Sequence, residues 1–106
     1  MIEFIPVKED GGILIYEARE GDEVTGRCEI SFGGYDAKII SLSGDDITKE
    51  GLVRSGLNFC ANKGAFLAHI DGKILCPALL RLGFSQSNLT AEIPDVLTSS
   101  CCSCRK

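Results

Sequence analysis

The feature that most constrains this fold is a strand, a helix and a second strand that follow one another closely between residues 36 and 70. Residues 37–42 and 65–70 are short and mainly apolar, and Gly64 ends the helical segment between them. Asp45 or Asp46 can accept hydrogen bonds from the first turn of that helix. Such a unit closes with two parallel strands and a right-handed crossover, so the sequence predicts an α/β fold.

The helical segment has a broad apolar stripe that we expect to pack on the sheet. Its members recur at the spacing of one helix face. They are Ile47, Leu52, Val53, Leu57, Phe59 and Cys60.

An antiparallel meander is predicted before this unit. Residues 13–19, 24–32 and 37–42 read as strands, and glycine-containing turns at residues 20–23 and 33–34 separate them. In the second strand Cys28, Ile30 and Phe32 alternate with polar residues, which predicts one buried and one exposed face. Residues 2–7 form a short edge strand whose pairing Pro6 limits.

In the remainder of the chain the sequence predicts a turn at residues 71–72, a short helix over residues 77–82 that ends at Gly83, and a last strand over residues 89–93. With 106 residues and 11.4 kDa, the chain has room for one domain. We assign residues 1–97 to that domain and residues 98–106 to a flexible, cysteine-rich tail.

Charge and composition exclude some classes of partner. The formal net charge is −4, from 15 acidic and 11 basic residues, so we expect no nucleic acid and no anionic membrane as partner. The start of the chain lacks a secretory signal, and no segment is apolar for long enough to span a bilayer. We therefore expect a cytoplasmic protein whose 6 cysteines are thiols or metal ligands.

In their order, the meander, helix, parallel strand, short helix and final strand resemble the GNAT superfamily of acetyl-CoA-dependent N-acetyltransferases. The resemblance covers residues 12–93 and rests on two stretches, residues 50–65 and Leu79-Leu80-Arg81-Leu82-Gly83-Phe84. It implies a GNAT-like mixed sheet, acetyl-CoA as cofactor and transfer of an acyl group to an amine.

The resemblance also implies where the cofactor pyrophosphate would lie. The family has a loop of Gln or Arg, two residues, Gly, one residue, and Gly or Ala, which falls here at Gly44, Ile47 and Lys49. Neither glycine position holds glycine, and Asp45 and Asp46 add negative charge, so we expect weak binding of acetyl-CoA. The implied cofactor-binding residues are Leu42, Ser43, Gly44, Ile47, Thr48 and Lys49.

Two further departures concern the acid and the acceptor. Many family members have a tyrosine in the last helix that protonates the CoA thiolate, and that position falls at Leu79. The two helices that the family inserts after its first strand have no room between residues 7 and 12. The acceptor pocket is then open or completed by a partner subunit. An uncovered sheet favours a homo-oligomer, such as a homodimer.

His69 is the one histidine, and it lies near the carboxyl end of the second parallel strand, where such sheets bind ligands. Its ordinary pKa suits a general base that takes a proton from an incoming amine. The alternative is a partly exposed histidine at the end of a strand with no catalytic role.

Cysteines cluster in the tail at Cys101, Cys102 and Cys104. Three thiolates this close can share a zinc or iron ion, with Cys76, Cys60 or another chain as the source of a fourth ligand. The alternative is a tail with free thiols. Cys28 and Cys60 fall on apolar faces and are predicted to be small core residues.

Three functions are compatible with these features. The first is an N-acyltransferase of the GNAT type, and the second is a binding or oligomerisation module that has kept the scaffold without catalysis. The third is a metal-binding or redox protein that acts through the cysteine tail. The acceptor substrate cannot be read from the sequence.

Overall fold

A mixed sheet of six strands organises the protein, and the computed structural model describes residues 2–98. The strands are β1 (Ile2–Asp10), β2 (Ile13–Glu20), β3 (Glu23–Gly33), β4 (Asp36–Ser43), β5 (Leu67–Ile70) and β6 (Thr90–Glu92). Helix α1 (Asp46–Asn62) connects β4 to β5, and a 3-10 turn (Gly72–Ile74) and helix α2 (Pro77–Arg81) lie between β5 and β6. Residues 93–98 are helical again.

The strands lie in the sheet in the order of the chain. The first four form an antiparallel meander, β4 and β5 are parallel, and β6 returns antiparallel to β5. The predicted α/β class, with a meander, a strand-helix-strand unit, a short helix and a final strand, is confirmed at this level.

Alternate residues of the sheet form the core with the helices. Leu14 and Tyr16 in β2, Cys28 and Ile30 in β3, and the helix residue Leu57 belong to one buried cluster. Side chains of α2 and of residues 93–98 join the same cluster, so these helices lie on the same side of the sheet as α1. The alternation predicted for β3 is confirmed.

The opposite side of the sheet, which we call the open face, is covered by no element within residues 2–98. The strand registers assign it the residues that alternate with the core. They include Ile5, Ile13, Ile15, Glu17, Glu29, Lys38 and His69.

Helix α1 lies very close to the sheet because glycines face it. A Cβ on Gly26 would lie 2.7 Å from the Ser43 carbonyl oxygen and 2.7 Å from Cγ2 of Thr48. A Cβ on Gly56 would lie 2.6 Å from Cδ1 of Ile30. Glycine in a strand or helix interior normally destabilises the element, and here it permits the close approach of β3 and α1.

The prediction that Ile47 packs on the sheet is wrong. Asp45 caps the helix, so Ile47 stands in the first turn, and its side chain is 78% exposed. Successive helical residues are rotated by about 100°, which turns Ile47 away from the face that Thr48, Leu52 and Gly56 bury. Thr48 occupies the place that the sequence analysis gave to Ile47.

Both ends of the described chain differ from the prediction. Strand β1 continues past Pro6 to Asp10 because the irregularity at Val7 restores its pairing with β2, and an edge strand tolerates proline. At the other end Ile93, which the sequence predicts to end the last strand, begins a helical segment that includes Thr98 of the predicted tail, and Val96 in this segment is fully buried in the core cluster.

None of the helices within residues 2–98 is long and apolar enough to cross a membrane.

Candidate functional site

The parallel pair β4 and β5 opens a cleft at its carboxyl end. The two strands pair only from Asp36 to Ile39, while β4 continues to Ser43. Glu29 pairs with Ser41 and Ile30 with Ile39, so Ile40 is an extra residue that interrupts the register. A bulge bends its strand, and the β4 edge after it has no partner within residues 2–98.

Helix α1 begins at the mouth of this cleft. The Asp45 carboxylate caps it by accepting a hydrogen bond from the Thr48 N–H, at 2.8 Å. This backbone hydrogen bond lowers the pKa of Asp45, so the cap stays ionised at neutral pH. The cap uses one of the first-turn donors and leaves the N–H groups of Asp46 and Ile47 for another partner.

The structure brings most of the implied cofactor-binding residues together at this helix start. The Thr48 side chain cannot contact a cofactor, because it is buried and its methyl group faces Gly26 and Gly44. Gly44 has φ +122°, a conformation that favours glycine. The Leu42 side chain packs against the core, so only its backbone borders the cleft. Ser43, Ile47 and Lys49 complete the implied set.

Arg81, which the sequence analysis did not single out, lies beside the acidic residues Asp46 and Glu50 at the start of α1. Arg81 in α2 donates from Nε to the Glu50 carboxylate at 3.0 Å, and its Nη1 lies 3.8 Å from Oδ2 of Asp46. Part of the negative charge at the start of α1 is therefore neutralised. The partners are 31 residues apart for the shorter contact, and no local pattern indicates such a pair.

His69 lies on the open face, near the place where β4 and β5 stop pairing. Its Nε2 is 2.9 Å from Oδ1 of Asp36, and its Nδ1 is 2.9 Å from the Thr90 hydroxyl. A carboxylate only accepts, so Nε2 carries the proton of the neutral ring, and Nδ1 accepts from Thr90. The structure thus gives His69 an orienting carboxylate at Nε2 and an unprotonated Nδ1 that accepts from a hydroxyl.

Asp36 and Thr90 were missed in the sequence analysis for a physical reason. Asp36 opens β4 and Thr90 opens β6, and each is an ordinary polar residue in its own segment. The register of three strands brings them to His69. That register depends on long-range pairing.

The buried cysteines Cys28 and Cys60 are unsuited to metal binding or nucleophilic attack. Burial, with a smaller contribution from the neighbouring Cys60, raises the pKa of Cys28 to about 12, and burial raises that of Cys60 to about 11. Both lie in the core as predicted. Within residues 2–98 no group of three or more His, Cys, Asp or Glu could hold a metal ion. Cys101, Cys102 and Cys104 lie outside the described residues.

Comparison with known proteins gives no identification. No model of a protein family matches the chain, and no curated protein is significantly similar to it. Evidence for a function therefore comes from the fold, from the residues at the β4 and β5 cleft, and from the contacts of His69.

Proposed function

We propose that this protein is an acyl-CoA-dependent N-acyltransferase of the GNAT type with a weakened cofactor site. The observation that supports this most is the geometry of the parallel pair. Strand β4 extends beyond its pairing with β5, bends at Ile40, and leads through Gly44 into the start of α1. An extended ligand with an anionic group at one end matches this combination.

The free edge of β4 would hold the extended part of the cofactor. Backbone N–H and C=O groups between Ile40 and Ser43 can pair with an amide-bearing chain, as an added strand does. The pantetheine arm of acetyl-CoA has this chemistry. The pyrophosphate would then meet the N–H groups of Asp46 and Ile47 at the positive end of the α1 dipole.

The acidic residues at the start of α1 explain why the affinity for acetyl-CoA is expected to be low. The Asp45 carboxylate already occupies the Thr48 N–H, and Asp46 adds a second negative charge where phosphate would approach. Arg81 and Lys49 offset part of this charge. We expect a dissociation constant of hundreds of micromolar or higher, which corresponds to a binding free energy of about −4 to −5 kcal/mol.

His69 is the proposed general base. Its Nδ1 can accept a proton from an incoming amine, directly or through the Thr90 hydroxyl, and Asp36 then stabilises the imidazolium. The Leu79 side chain is fully buried and has no proton to give, so water is the proposed donor to the CoA thiolate. The acceptor would approach from the open face.

Calorimetric titration with acetyl-CoA tests the cofactor site. Replacing both Asp45 and Asp46 by Asn removes two charges and keeps a side chain that can cap α1. We expect binding to tighten several-fold, and more at low salt. The matched control is Glu9→Gln with Asp10→Asn at the far end of β1, which changes the net charge equally and should leave the affinity unchanged. Equal effects of the two pairs would contradict a site at the start of α1.

The second candidate function is an oligomerisation module, and the open face favours it. Ile5 and Ile13 lie half-buried on this face on either side of Ile15, which is only 8% exposed, and no helix within residues 2–98 covers this side of the sheet. Apolar sheet surface of this kind is usually covered by a partner. A second copy of the chain is the proposed partner, and the homodimer would also complete the acceptor side of the cleft.

A further inference from the structure

We propose that Asp36, His69 and Thr90, besides the base role proposed above for His69, support a second reaction, in which Thr90 is a nucleophile that accepts acyl groups from esters without acyl-CoA. His69 lies between the other two side chains and is linked to each of them by a hydrogen bond of 2.9 Å. A nucleophile bonded to a base, with the base bonded to an orienting acid, is the arrangement that activates a hydroxyl group.

The sheet holds these three groups in place. The N–H groups of Ile70 and Ile93 donate to Leu89 and Phe66, so His69 and Thr90 form the intervening pair that exchanges no backbone hydrogen bonds. In such pairs the side chains lie closest together, which directs the Thr90 hydroxyl at the ring. Asp36 stands on the neighbouring strand β4, two residues before the residue that pairs with His69.

The same register supplies a donor for the developing oxyanion. Because Thr90 exchanges no backbone hydrogen bond with β5, its N–H is directed outward from β6, the edge strand of the described sheet. A cavity of about 410 Å³ borders this edge. Asn88 borders it too, and its carboxamide N–H is proposed as a second donor.

Of the three proposed residues Thr90 is the one that lines this cavity, so the cavity bears on which esters can reach Thr90. Its lining includes Glu92 and Asp95 and contains no lysine or arginine. The lining is Leu82, Gly83, Asn88, Thr90, Ala91, Glu92 and Asp95. These carboxylates repel an anionic group inside the cavity itself, so the esters that fit it are neutral or cationic.

The chemical step balances within the centre. The Thr90 oxygen attacks the ester carbonyl while its proton moves to Nδ1 of His69, and Asp36 stabilises the imidazolium. The bond between the acyl carbon and the leaving oxygen then breaks, and His69 returns the proton to that oxygen. The products are an ester of Thr90 and a free alcohol, and water or an amine can release the acyl group in a second step.

The experiment uses the full chain and p-nitrophenyl acetate, a neutral ester. We expect an acetyl group on Thr90, found by peptide mass mapping after neutral hydroxylamine has removed thioesters from the cysteines. The Thr90→Val and His69→Gln variants should form the nitrophenolate product about 100-fold more slowly, the size of a general-base contribution. Thr90→Ser keeps the hydroxyl and should react at least as fast as the native chain.

Thr98→Val is the matched control, because the Thr98 hydroxyl donates a hydrogen bond to the carbonyl of Pro94 and not to a histidine. It should react like the native chain. Absence of acetyl from Thr90 in the native chain would overturn the proposal, as would a Thr90→Val variant that reacts at the native rate. Since no acyl-CoA is used, the result is independent of the cofactor site at α1.

Discussion

Asp45 shows how one side chain can stabilise the fold and weaken the site. It satisfies a first-turn N–H of α1 and thereby supports the helix that forms one wall of the core. The same carboxylate places negative charge where a phosphate would bind. Glycine at these loop positions would leave the first-turn N–H groups of the helix free for a phosphate. In this chain the Asp45 carboxylate accepts a hydrogen bond from one of them, the Thr48 N–H.

The contribution of Asp45 to stability should depend on pH. Its pKa is lowered in the folded state, so this contribution is fully present above the ordinary value near 3.8 and is lost as pH falls through the lower folded value. We expect Asp45→Ala to unfold at a lower urea concentration than the native chain at neutral pH, and the difference to shrink at acid pH. Asp45→Asn, a neutral cap, should differ from Asp45→Ala by an amount that pH does not change. A native advantage over alanine that persists unchanged at low pH would contradict the role of the ionised cap.

At the scale of elements, local patterns predicted most of the fold. The strands and α1 follow from alternation, helical spacing and turn glycines within each segment, and their bounds differ from the prediction by a few residues. Ile47 was misplaced because the rotational phase of a helix depends on which face meets the sheet. Asp36, Thr90 and Arg81 were missed because their partners lie on other strands or on another helix.

The contact between α1 and β3 gives a prediction about glycine. Gly26→Ala should lower the free energy of unfolding by about 1 to 3 kcal/mol, because its Cβ meets a backbone oxygen that cannot move without shifting β4. Gly33→Ala is the matched control in the same strand, since nothing lies within 4 Å of its Cβ position. Urea denaturation of both variants measures the difference. Equal stabilities would show that α1 is not held this closely against the sheet.

At the scale of the whole molecule, helices on one side leave the open face as the surface for a second copy. We predict a dimer at micromolar concentration in reducing buffer, measured by light scattering. Ile13→Lys on the open face should shift the mass towards the monomer because it places a charge in the apolar contact. Leu80→Lys is the control, since Leu80 is exposed on α2 on the helix side. A native chain that is monomeric under these conditions would refute the dimer.

We propose that acetyl-CoA binds where β4 leaves β5 and α1 begins. Nuclear magnetic resonance with ¹⁵N-labelled chain tests it most directly, because weak binding still moves the amide signals of the contacted residues. We predict that acetyl-CoA shifts the signals of residues 40–49 in a saturable way, with Asp46 and Ile47 among the largest changes, and leaves those of β1 in place. Unchanged signals up to millimolar acetyl-CoA, or shifts confined to another part of the chain, would contradict it.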